Sequence, residues 1–427
     1  MLVEFSVENY RSFLKKQTLS LVASEDEVML DSTFAMPGSS DMRLVKSAVI
    51  FGANASGKSN LLQAISTLKK IVVTSASRMQ QGDKFDDLQP FRLNSQSQKQ
   101  PTSFEIIFFQ NQIRYEYGVV LDRNRVYEEW LIAFPEEEEQ NWFDRKYNRD
   151  NPEANNGYEW YFDDKLQGEN EIIKKFVRPN SLFLSHAAQN NHPQLTEVFL
   201  WFKDKLNDID CDDEYTVARM SEDFNFRDRV ANMLKQADIG ISGIKIEAEE
   251  QSIPEELKTL MSRIKKTVGN SVQIEGKVEA LSPLFKHQMN DSEEKVYFSM
   301  EEESDGTQRL FDLIGRWIDI LDEGEVLIID ELDRSLHPVL SRNLVQMFND
   351  PKINRNNAQL IFATHDSTLL DVENLRLDRV WLVEKDKKSA SNLYSLLEFK
   401  PREDESLQTG YLLGRYGAVP FIGGLKI

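Results

Sequence analysis

A phosphate-loop motif constrains the fold of this chain more than any other sequence feature. Residues 52–59 read Gly-Ala-Asn-Ala-Ser-Gly-Lys-Ser, which is the pattern G-x-x-x-x-G-K-S. The apolar run at 45–51 before it predicts a strand. After it, Leu61, Ile65 and Leu68 recur at helical spacing. Because a strand, a glycine-rich loop and a helix in this order are the context that the motif requires, the sequence predicts a nucleotide-binding loop.

Each residue type in the loop has a physical role. Glycines let backbone N–H groups close around phosphate oxygens, and the N-terminus of the following helix adds partial positive charge. Lys58 is expected to reach the β- and γ-phosphates, and the Ser59 hydroxyl to bind Mg²⁺. The residues of the loop expected to bind nucleotide are Gly52, Asn54, Ala55, Ser56, Gly57, Lys58, Ser59 and Asn60.

The composition is that of a folded protein without disulfides or membrane spans. The 427 residues are 40% hydrophobic, which is enough for two or three subdomains. The one cysteine, Cys211, excludes an intrachain disulfide and fits a reducing compartment. Residues 1–10 alternate like a strand and lack the basic start of a signal peptide, and no apolar run is long enough to span a bilayer. We therefore expect a soluble cytoplasmic protein with no membrane contact.

The charge balance limits the partners of the chain. The formal net charge of -20 argues against a protein whose whole surface binds nucleic acid, although a local basic stripe stays open. The acidic run at 136–139 is interpreted as a solvated loop. Scattered basic pairs are the candidates for nucleic-acid contact: Lys15-Lys16, Lys69-Lys70 and Lys174-Lys175.

Hydrophobic patterning divides the chain into three predicted parts: an N-terminal lobe at 1–134, an inserted polar and helical subdomain at 135–290, and a C-terminal lobe at 291–427. Strands are predicted at 3–9, 17–22, 45–51, several within 102–134, 158–162, 243–247, 271–281, 295–300, 326–329, 359–363 and 379–383. Helices are predicted at 195–206, 223–236, 254–268, 307–321 and 338–348. Residues 24–44 and most of 135–195 are expected to be irregular. The phosphate-loop strand and the late strands are expected to share one parallel sheet.

A second motif provides the acidic groups that phosphate chemistry needs. Residues 326–331 read Val-Leu-Ile-Ile-Asp-Glu, a buried strand that ends in two carboxylates. Asp330 can hold the Mg²⁺ shell, and Glu331 can orient or deprotonate an attacking water. The alternative is that the pair only caps a loop.

Three shorter segments add further candidate phosphate-contacting residues. Residues 304–308, Ser-Asp-Gly-Thr-Gln, open a predicted helix and form either a second phosphate site or a plain N-cap. Residues 333–338, Asp-Arg-Ser-Leu-His-Pro, directly follow the acidic pair. The next apolar strand ends in residues 364–366, Thr-His-Asp, where His365 can contact a γ-phosphate or serve only the structure.

Together, in this order, the motifs resemble those of the ABC-type ATPases, and the resemblance covers both halves of the chain. Residues 9–13, Asn-Tyr-Arg-Ser-Phe, are similar to the N-terminal segment of the SMC-like and RecF-like branch. More narrowly, the chain resembles the RloA-like AAA family ATPases of abortive-infection operons. The segments that support this are 4–9, 52–60, 303–309, 335–338 and the closing Gly-Arg-Tyr-Gly-Ala-Val-Pro at 414–420.

The resemblance implies the fold and a set of roles. The fold would be α/β, a P-loop NTPase with an ABC-type head, an antiparallel β-subdomain and an inserted helical subdomain. Lys58, Glu331 and His365 would be catalytic. Ser59, Asp330 and Gln89 would serve Mg²⁺. Arg11 would lie near the nucleotide. Ser304 and Gly306 would contact the γ-phosphate of the ATP held by the partner subunit, and Asp333 would signal across the dimer. Asp305 stands where ABC transporters carry a glycine, which puts the strength of that site in question.

Two departures from the family pattern refine the expectation. SMC proteins carry a long coiled coil between the motif halves, whereas the insert here is compact, so chromosome tethering is not expected. Only about sixty residues follow His365, which is short for a nuclease domain. The resemblance therefore implies an ATP- and Mg²⁺-dependent sensor or gate in anti-phage defence, with a separate effector such as a TOPRIM-type nuclease. A RecF-like DNA-repair ATPase and an ATP-dependent scaffold with negligible turnover remain the alternatives.

Overall fold

The computed structural model describes residues 1–25, 29–38, 42–150, 157–208, 213–237, 240–251, 278–371, 375–402 and 405–420. Its strands are β1 Leu2–Glu8, β2 Gln17–Ser20, β3 Thr33–Ala35, β4 Arg43–Val45, β5 Ser47–Phe51, β6 Thr102–Gln110, β7 Ile113–Leu121, β8 Val126–Phe134, β9 Gln140–Tyr147, β10 Tyr158–Phe162, β11 Leu206–Asp208, β12 Gly243–Gln251, β13 Val278–Gln288, β14 Lys295–Ser299, β15 Val326–Ile329, β16 Gln359–Ala363, β17 Val380–Lys385 and β18 Ser391–Ser395. Its α-helices are α1 Lys58–Thr74, α2 Asn170–Ile173, α3 Phe183–Gln189, α4 Leu195–Leu200, α5 Asp213–Glu222, α6 Phe224–Gln236, α7 Asp305–Glu323, α8 Pro338–Asn349 and α9 Leu407–Leu412.

A mainly parallel sheet carries the phosphate loop. Its strand order is β11-β15-β16-β5-β17-β18, and all neighbours are parallel except β17 and β18. Every residue of β5, β15 and β16 is buried, as expected for strands of a parallel sheet that is covered on both faces. The carboxyl ends of these three strands therefore meet at one edge of the sheet. This confirms that the phosphate-loop strand and the late strands share one sheet.

An antiparallel sheet forms the second layer. Its order is β10-β9-β8-β7-β6-β1-β2, so the N-terminal hairpin extends the meander from 102 onward. Side chains of β6 alternate between buried and half-buried positions, which is the pattern of a sheet with one face on the core. One hydrophobic cluster contains buried residues of both sheets and of α1. At its centre the rings of Phe108 and Trp201 stack at 3.9 Å.

Helix α1, which follows the phosphate loop, is anchored at its C-terminal end. Leu61, Leu62, Ile65, Leu68 and further apolar residues at helical spacing are buried along one side of the helix. At the end of the helix the guanidinium of Arg178 donates to the carbonyls of Ser75, Ala76 and Met79 at 3.0–3.2 Å. These carbonyls belong to the turn that follows the helix, so Arg178 satisfies buried acceptors there and fixes the end of α1.

A buried ion pair links the antiparallel sheet to the helices beneath it. Glu129 of β8 and Arg145 of β9 are both fully buried, with Arg145 Nη1 3.6 Å from the Glu129 carboxylate. Glu129 also accepts hydrogen bonds from the N–H groups of Phe183 and Leu184, at 2.7 and 3.0 Å. These are the first residues of α3, whose Ser185 hydroxyl donates to a carbonyl of α1. The pair therefore holds α3, and α3 contacts the helix that follows the phosphate loop.

The chain divides into two compact units. Unit 1 comprises Met1–Ile209, Ile320–Arg334 and Pro338–Ile427, and unit 2 comprises Asp210–Asp319 and Ser335–His337. Unit 1 holds both large sheets. Unit 2 contains α5, α6, the sheet β12-β13-β14 and most of α7. Its core includes Phe285 and Phe311, whose rings lie 5.3 Å apart. The predicted boundary after residue 134 falls between β8 and β9, which are paired neighbours in one sheet.

Most predicted elements are present, with several differences. The N-terminal hairpin, the strands within 102–134, the strand at 158–162 and the helix at 223–236 are confirmed. The prediction that 24–44 and 135–195 are irregular is wrong, because β3, β4, β9, α2 and α3 lie there. β9 was missed because its polar side chains pair with carboxylates of β8, such as Lys146 with Glu128, so apolar alternation is weak.

One predicted helix is shorter than expected, and another predicted helix lies outside the described residues. The predicted helix at 195–206 is α4 followed by a π-helical turn, Trp201–Lys205, and Leu206 already belongs to β11. The predicted helix at 254–268 lies outside the described residues, as do the first seven residues of the predicted strand at 271–281. In the part of the chain that is described, no helix combines the length and the apolar character that crossing a bilayer requires.

We predict that Glu129→Ala lowers the free energy of unfolding of unit 1 by about 3–5 kcal/mol, because Arg145 would be left as a buried, uncompensated charge. The matched control is Glu128→Ala, whose carboxylate is partly exposed and pairs with Lys146 at 3.2 Å, and which should cost less than about 1 kcal/mol. Urea unfolding monitored by tryptophan fluorescence measures both. Equal losses in the two variants would contradict the structural role of the buried pair.

Candidate phosphate-binding site

Three loops converge at the carboxyl edge of the parallel sheet. The phosphate loop follows β5, the Asp330-Glu331 pair follows β15, and Thr364-His365 follows β16. β16 lies between the other two strands, so its loop separates the phosphate loop from the acidic pair. Ligands of α/β sheets bind outside the carboxyl ends of the strands, where these loops provide side chains and free N–H groups.

Lys58 is the charged centre of this edge. Its side chain is buried, at 5% exposure, and Nζ donates to the carbonyl of Gly52 at 2.8 Å. Burial lowers the pKa of Lys58, and the negative charges of Asp330, Asp333 and Glu331, in that order, oppose the shift. Both halves of the chain thus contribute charge to one region, where three carboxylates lie within electrostatic reach of one ammonium group.

Asp333 connects the acidic loop with the histidine loop. Its carboxylate accepts a hydrogen bond from the Thr364 hydroxyl at 2.7 Å and from the His365 N–H at 3.3 Å. The Leu332 N–H donates to the carbonyl of Ala363 at 3.2 Å, which continues the pairing of the two strands into their loops. The His365 side chain itself is exposed at the edge of the sheet. The two loops are therefore held as one unit, so a shift of one should move the other.

Two serines that the sequence did not predict as site residues hold the phosphate loop. Ser391, at the start of β18, donates from its hydroxyl to the carbonyl of Ser56. Ser12 accepts a hydrogen bond from the Asn60 side chain at 2.8 Å, and its carbonyl accepts one from the Ser391 N–H at 2.8 Å. Ser12 could have been predicted, because it belongs to the Asn-Tyr-Arg-Ser-Phe segment that resembles the family. Ser391 could not, because it lies in a short polar strand that matches no motif.

Gly57 shows how closely Ser12 and Ser391 approach the backbone of the phosphate loop. Its φ is +122°, and a Cβ built there would lie 2.4 Å from Ser391 Oγ and 2.8 Å from Ser12 Oγ. Both serines therefore occupy the space that any other side chain would need. The loop is shaped from outside by residues far away in sequence.

Arg11 and Gln89 are brought together by the backbone. The Arg11 N–H donates to the carbonyl of Gln89 at 2.7 Å, and Arg11 Nε donates to the Tyr10 hydroxyl at 3.1 Å. Gln89 has an exposed side chain. Two residues predicted to approach the nucleotide and its metal thus lie side by side in unit 1.

Left-handed backbone conformations occur in the loops around Lys58. Ala55, Glu331 and Arg11 have φ values of 62°, 52° and 49°. A non-glycine residue in this region costs about 1–3 kcal/mol, and such strain persists only where the surroundings enforce it. Ala55 and Asn54 form the exposed tip of the loop, while Ser59 is half-buried at the start of α1.

The predicted signature segment belongs to unit 2. The Ser304 hydroxyl accepts a hydrogen bond from the Thr307 N–H at 3.2 Å, so Ser304 is the N-cap of α7. Asp305 is the first residue of that helix, and Gly306 approaches the carbonyl of Ser335, with 2.8 Å between that oxygen and an added Cβ. Of the two roles predicted for this segment, the structure therefore shows the N-cap. Whether Ser304 and Gly306 also contact a phosphate stays a prediction.

The structure brings most of the predicted site residues into one region of unit 1. Those that share the carboxyl edge or adjoin the loop are Gly52, Asn54, Ala55, Ser56, Gly57, Lys58, Ser59, Asn60, Asp330, Glu331, Asp333 and His365. Their individual roles stay predictions.

We predict that Gly57→Ala lowers the unfolding temperature and weakens Mg-ATP binding more than Gly82→Ala does. Both glycines have positive φ, so each substitution should cost about 1–3 kcal/mol in backbone strain. Only at Gly57 would the new Cβ also meet neighbours, since nothing lies within 4 Å of one at Gly82. Thermal unfolding and titration with Mg-ATP measure the difference. Indistinguishable variants would contradict the serine contacts.

The comparison with known proteins places the chain in a family. Residues 47–371 match the model of the family described as "AAA domain, putative AbiEii toxin, Type IV TA system". This match covers more than half of the chain, from the phosphate-loop strand to just past the histidine loop. No curated protein matches it significantly.

Solved structures of SMC head domains are distantly similar to the chain. An SMC head bound to the C-winged helix domain of ScpA is 12% identical, with 96% of this chain and 99% of that one covered at a TM-score of 0.40. The SMC head domain from Thermotoga maritima is 11% identical, with 92% and 98% covered at 0.40. An SMC head from Pyrococcus furiosus with an extended coiled coil, bound to the C-terminal domain of ScpA, is 12% identical, with 97% and 99% covered at 0.38.

Identity and TM-score are both low in these three cases, so the assignment depends on the family match. That match spans the phosphate loop, the acidic pair and the histidine loop, which the fold brings to one sheet edge. The chain belongs to the family of AAA domains that includes the AbiEii toxin type of type IV toxin–antitoxin systems.

Proposed function

We propose that this protein binds and hydrolyses ATP as an ABC-type ATPase. The observation that carries the proposal is the position of Lys58, which is buried at the carboxyl edge of a parallel sheet within electrostatic reach of Asp330, Glu331 and Asp333. A buried ammonium at the start of a helix attracts phosphate, and the carboxylates opposite it attract a divalent cation. Membership of an AAA family also supports ATP binding.

The residues present fit a Mg-nucleotide. The N–H groups of the phosphate loop and the Lys58 ammonium would contact phosphate oxygens. The Ser59 hydroxyl and the Asp330 carboxylate are hard oxygen donors that suit Mg²⁺, which retains water and phosphate oxygens as further ligands. Gln89 is a third candidate, through its exposed side chain. The Ser56 hydroxyl is buried and lacks a hydrogen-bond partner within the described residues, so it could also donate to a phosphate.

Hydrolysis would need one base and one group that senses the γ-phosphate. Water would attack the γ-phosphorus, the bond to the ADP oxygen would break, and the proton of the water would pass to Glu331. Glu331 is exposed beside Asp330 at the sheet edge, where it could accept that proton. His365, which Asp333 holds through its N–H, would contact the transferred phosphoryl group.

We propose further that each ATP is shared by two copies of the chain. Lys58 of one copy and the Ser304-Gly306 segment of the other would then contact the same nucleotide, as the ABC-type motif order implies. Asp333 suits a role in signalling between the sites, because it bridges the acidic and histidine loops. Binding of ATP would close the pair of subunits, and hydrolysis would reopen it, a switch that depends on the γ-phosphate.

The biological role that we propose is a gate in anti-phage defence, with a separate effector protein. The family description, which refers to toxin–antitoxin systems, and the RloA-like motifs both support it. The effector could be a TOPRIM-type nuclease, which would supply the cleavage chemistry in place of this chain.

The DNA-repair alternative has less support from the surface. Of the basic pairs considered for nucleic-acid contact, four lysines form ion pairs with carboxylates of the same chain. These are Lys16 with Glu105, Lys69 with Asp208, Lys70 with Asp87 and Lys174 with Glu171. Cations that are locally balanced release fewer counterions from DNA and so contribute less to its binding.

We predict that Glu331→Gln retains Mg-ATP binding, slows hydrolysis by at least about 100-fold and accumulates an ATP-dependent dimer, because the base is lost while the phosphate contacts remain. Lys58→Ala is the matched control, and it should abolish both binding and dimer formation. Phosphate release and native mass spectrometry measure these quantities. Normal turnover of the Glu331→Gln protein would contradict the catalytic assignment.

We also predict that the Glu331→Gln protein, purified from cells with its neighbouring genes, carries a second protein in the presence of Mg-ATP. An assembly that contains a nucleotide but no partner, and that binds DNA with steep salt dependence, would favour the DNA-repair alternative instead. Binding of ATP without any phosphate release by the unmodified protein would favour the scaffold alternative.

A further inference from the structure

The Gly-Arg-Tyr-Gly motif at 414–417 lies in a segment that adjoins the phosphate loop. We call this segment, residues 405–418, the Tyr411 bracket. It consists of α9, the two residues before that helix and the turn that follows it. The family match ends at residue 371, before the bracket, and the ATPase roles proposed above do not involve it.

Tyr411 is the point of contact with the phosphate loop. Its ring packs against that of Phe51, the last residue of β5, with centroids 5.7 Å apart. Burial raises the pKa of Tyr411, and the nearby Gly52 backbone opposes that rise. The Tyr411 hydroxyl donates to the carbonyl of Ala418 at 3.2 Å. One side chain thus joins the end of β5, just before the phosphate loop, to the turn of the bracket.

The first glycine of the motif ends α9. Gly414 has a φ of +75°, its N–H donates to the carbonyl of Tyr411 at 2.8 Å, and the Arg415 N–H donates to that of Gly410 at 3.0 Å. These two bonds are those of a Schellman motif, in which a left-handed residue closes a helix. The turn therefore fixes where Tyr411 points relative to the residues after it.

The second glycine lets the turn contact the parallel sheet. Gly417 has a φ of +69°, and a Cβ there would lie 2.6 Å from Glu384 Oε2. The same oxygen accepts a hydrogen bond from the Ala418 N–H at 3.0 Å. Glu384 belongs to β17, which pairs with the phosphate-loop strand β5. The bracket is thereby attached to the sheet next to the loop that Tyr411 contacts.

The other end of the bracket reaches the histidine loop. The side-chain amide of Gln408 donates to the hydroxyl of Ser367 at 3.1 Å. Ser367 lies two residues after His365 and begins a short 3₁₀ helix. Helix α9 therefore spans two of the loops that meet at the carboxyl edge.

We propose that the Tyr411 bracket positions the phosphate loop and the histidine loop relative to each other, with Tyr411 and Gln408 as its positioning residues. The inference rests on the proposed ATPase function. Its physical basis is that one short segment contacts both loops: the Tyr411 ring packs against Phe51, next to the phosphate loop, and Gln408 donates to Ser367 after the histidine loop. When Lys58 turns from the Gly52 carbonyl to a phosphate oxygen, the Tyr411 ring would still pack beside the first residue of the loop.

Tyr411→Phe tests the first contact, because it keeps the ring on Phe51 and removes the hydroxyl that fastens Tyr411 to Ala418. The matched control is Tyr416→Phe in the same segment, whose hydroxyl donates to Glu405 at 3.1 Å, away from the phosphate loop. We expect Tyr411→Phe to raise the Kd for Mg-ATP by about threefold to tenfold, as loss of one hydrogen bond predicts, and Tyr416→Phe to leave it unchanged. Equal Kd values for the two variants would overturn the role of Tyr411.

Gln408→Ala tests the second contact by comparing its effect on kcat with its effect on the Kd for Mg-ATP. Loss of the bond to Ser367 should lower kcat severalfold and leave the Kd for Mg-ATP as in the unmodified protein. A rise in Kd without a fall in kcat, or no change in either, would overturn the role of Gln408. Failure of the unmodified protein to bind Mg-ATP would refute the proposed function itself, whereas normal binding with unchanged variants would refute only the bracket.

Discussion

The burial of the Lys58 ammonium is the constraint on which the rest of the site depends. A cation at 5% exposure is stable only if nearby groups compensate for the lost water. The Gly52 carbonyl accepts its hydrogen bond, and Asp330, Glu331 and Asp333 supply negative charge. The strand order that brings these groups together is therefore also what makes the buried lysine tolerable. A phosphate and a divalent cation would exchange these internal contacts for stronger ones.

The loop that carries Lys58 is supported from several sides. Helix α1 is anchored through Arg178 at its end, while Ser12 and Ser391 contact the beginning of that helix and the loop before it. The Tyr411 bracket packs against Phe51, the residue just before the loop. Support of this kind keeps donors aimed at the place where phosphate charge would lie, so little reorganisation is needed when the substrate binds.

The sequence predicts the parts of the molecule in which local pattern and chemistry agree. The strand before the phosphate loop, the strand 326–329 and the strand before Thr364 are apolar runs that end at candidate site residues, and the structure confirms all three strands. β9 was missed because its charges are matched only across the sheet. β18, Ser-Asn-Leu-Tyr-Ser, and α9, which contains Gly410, have weak intrinsic preferences and form through contacts with distant residues. Ser391 and Tyr411 therefore could not be found from sequence spacing.

We propose that two copies of the chain share each ATP. The most direct test is to mix a Lys58→Ala protein with a Ser304→Arg protein and to measure ATP hydrolysis, with native mass spectrometry to verify that mixed dimers form. Each variant alone should be inactive. In a mixed dimer, Lys58 of one copy and Ser304 of the other would still form one intact site, so we expect hydrolysis to return. Mixed dimers that hydrolyse no more ATP than the separate variants would contradict the shared site.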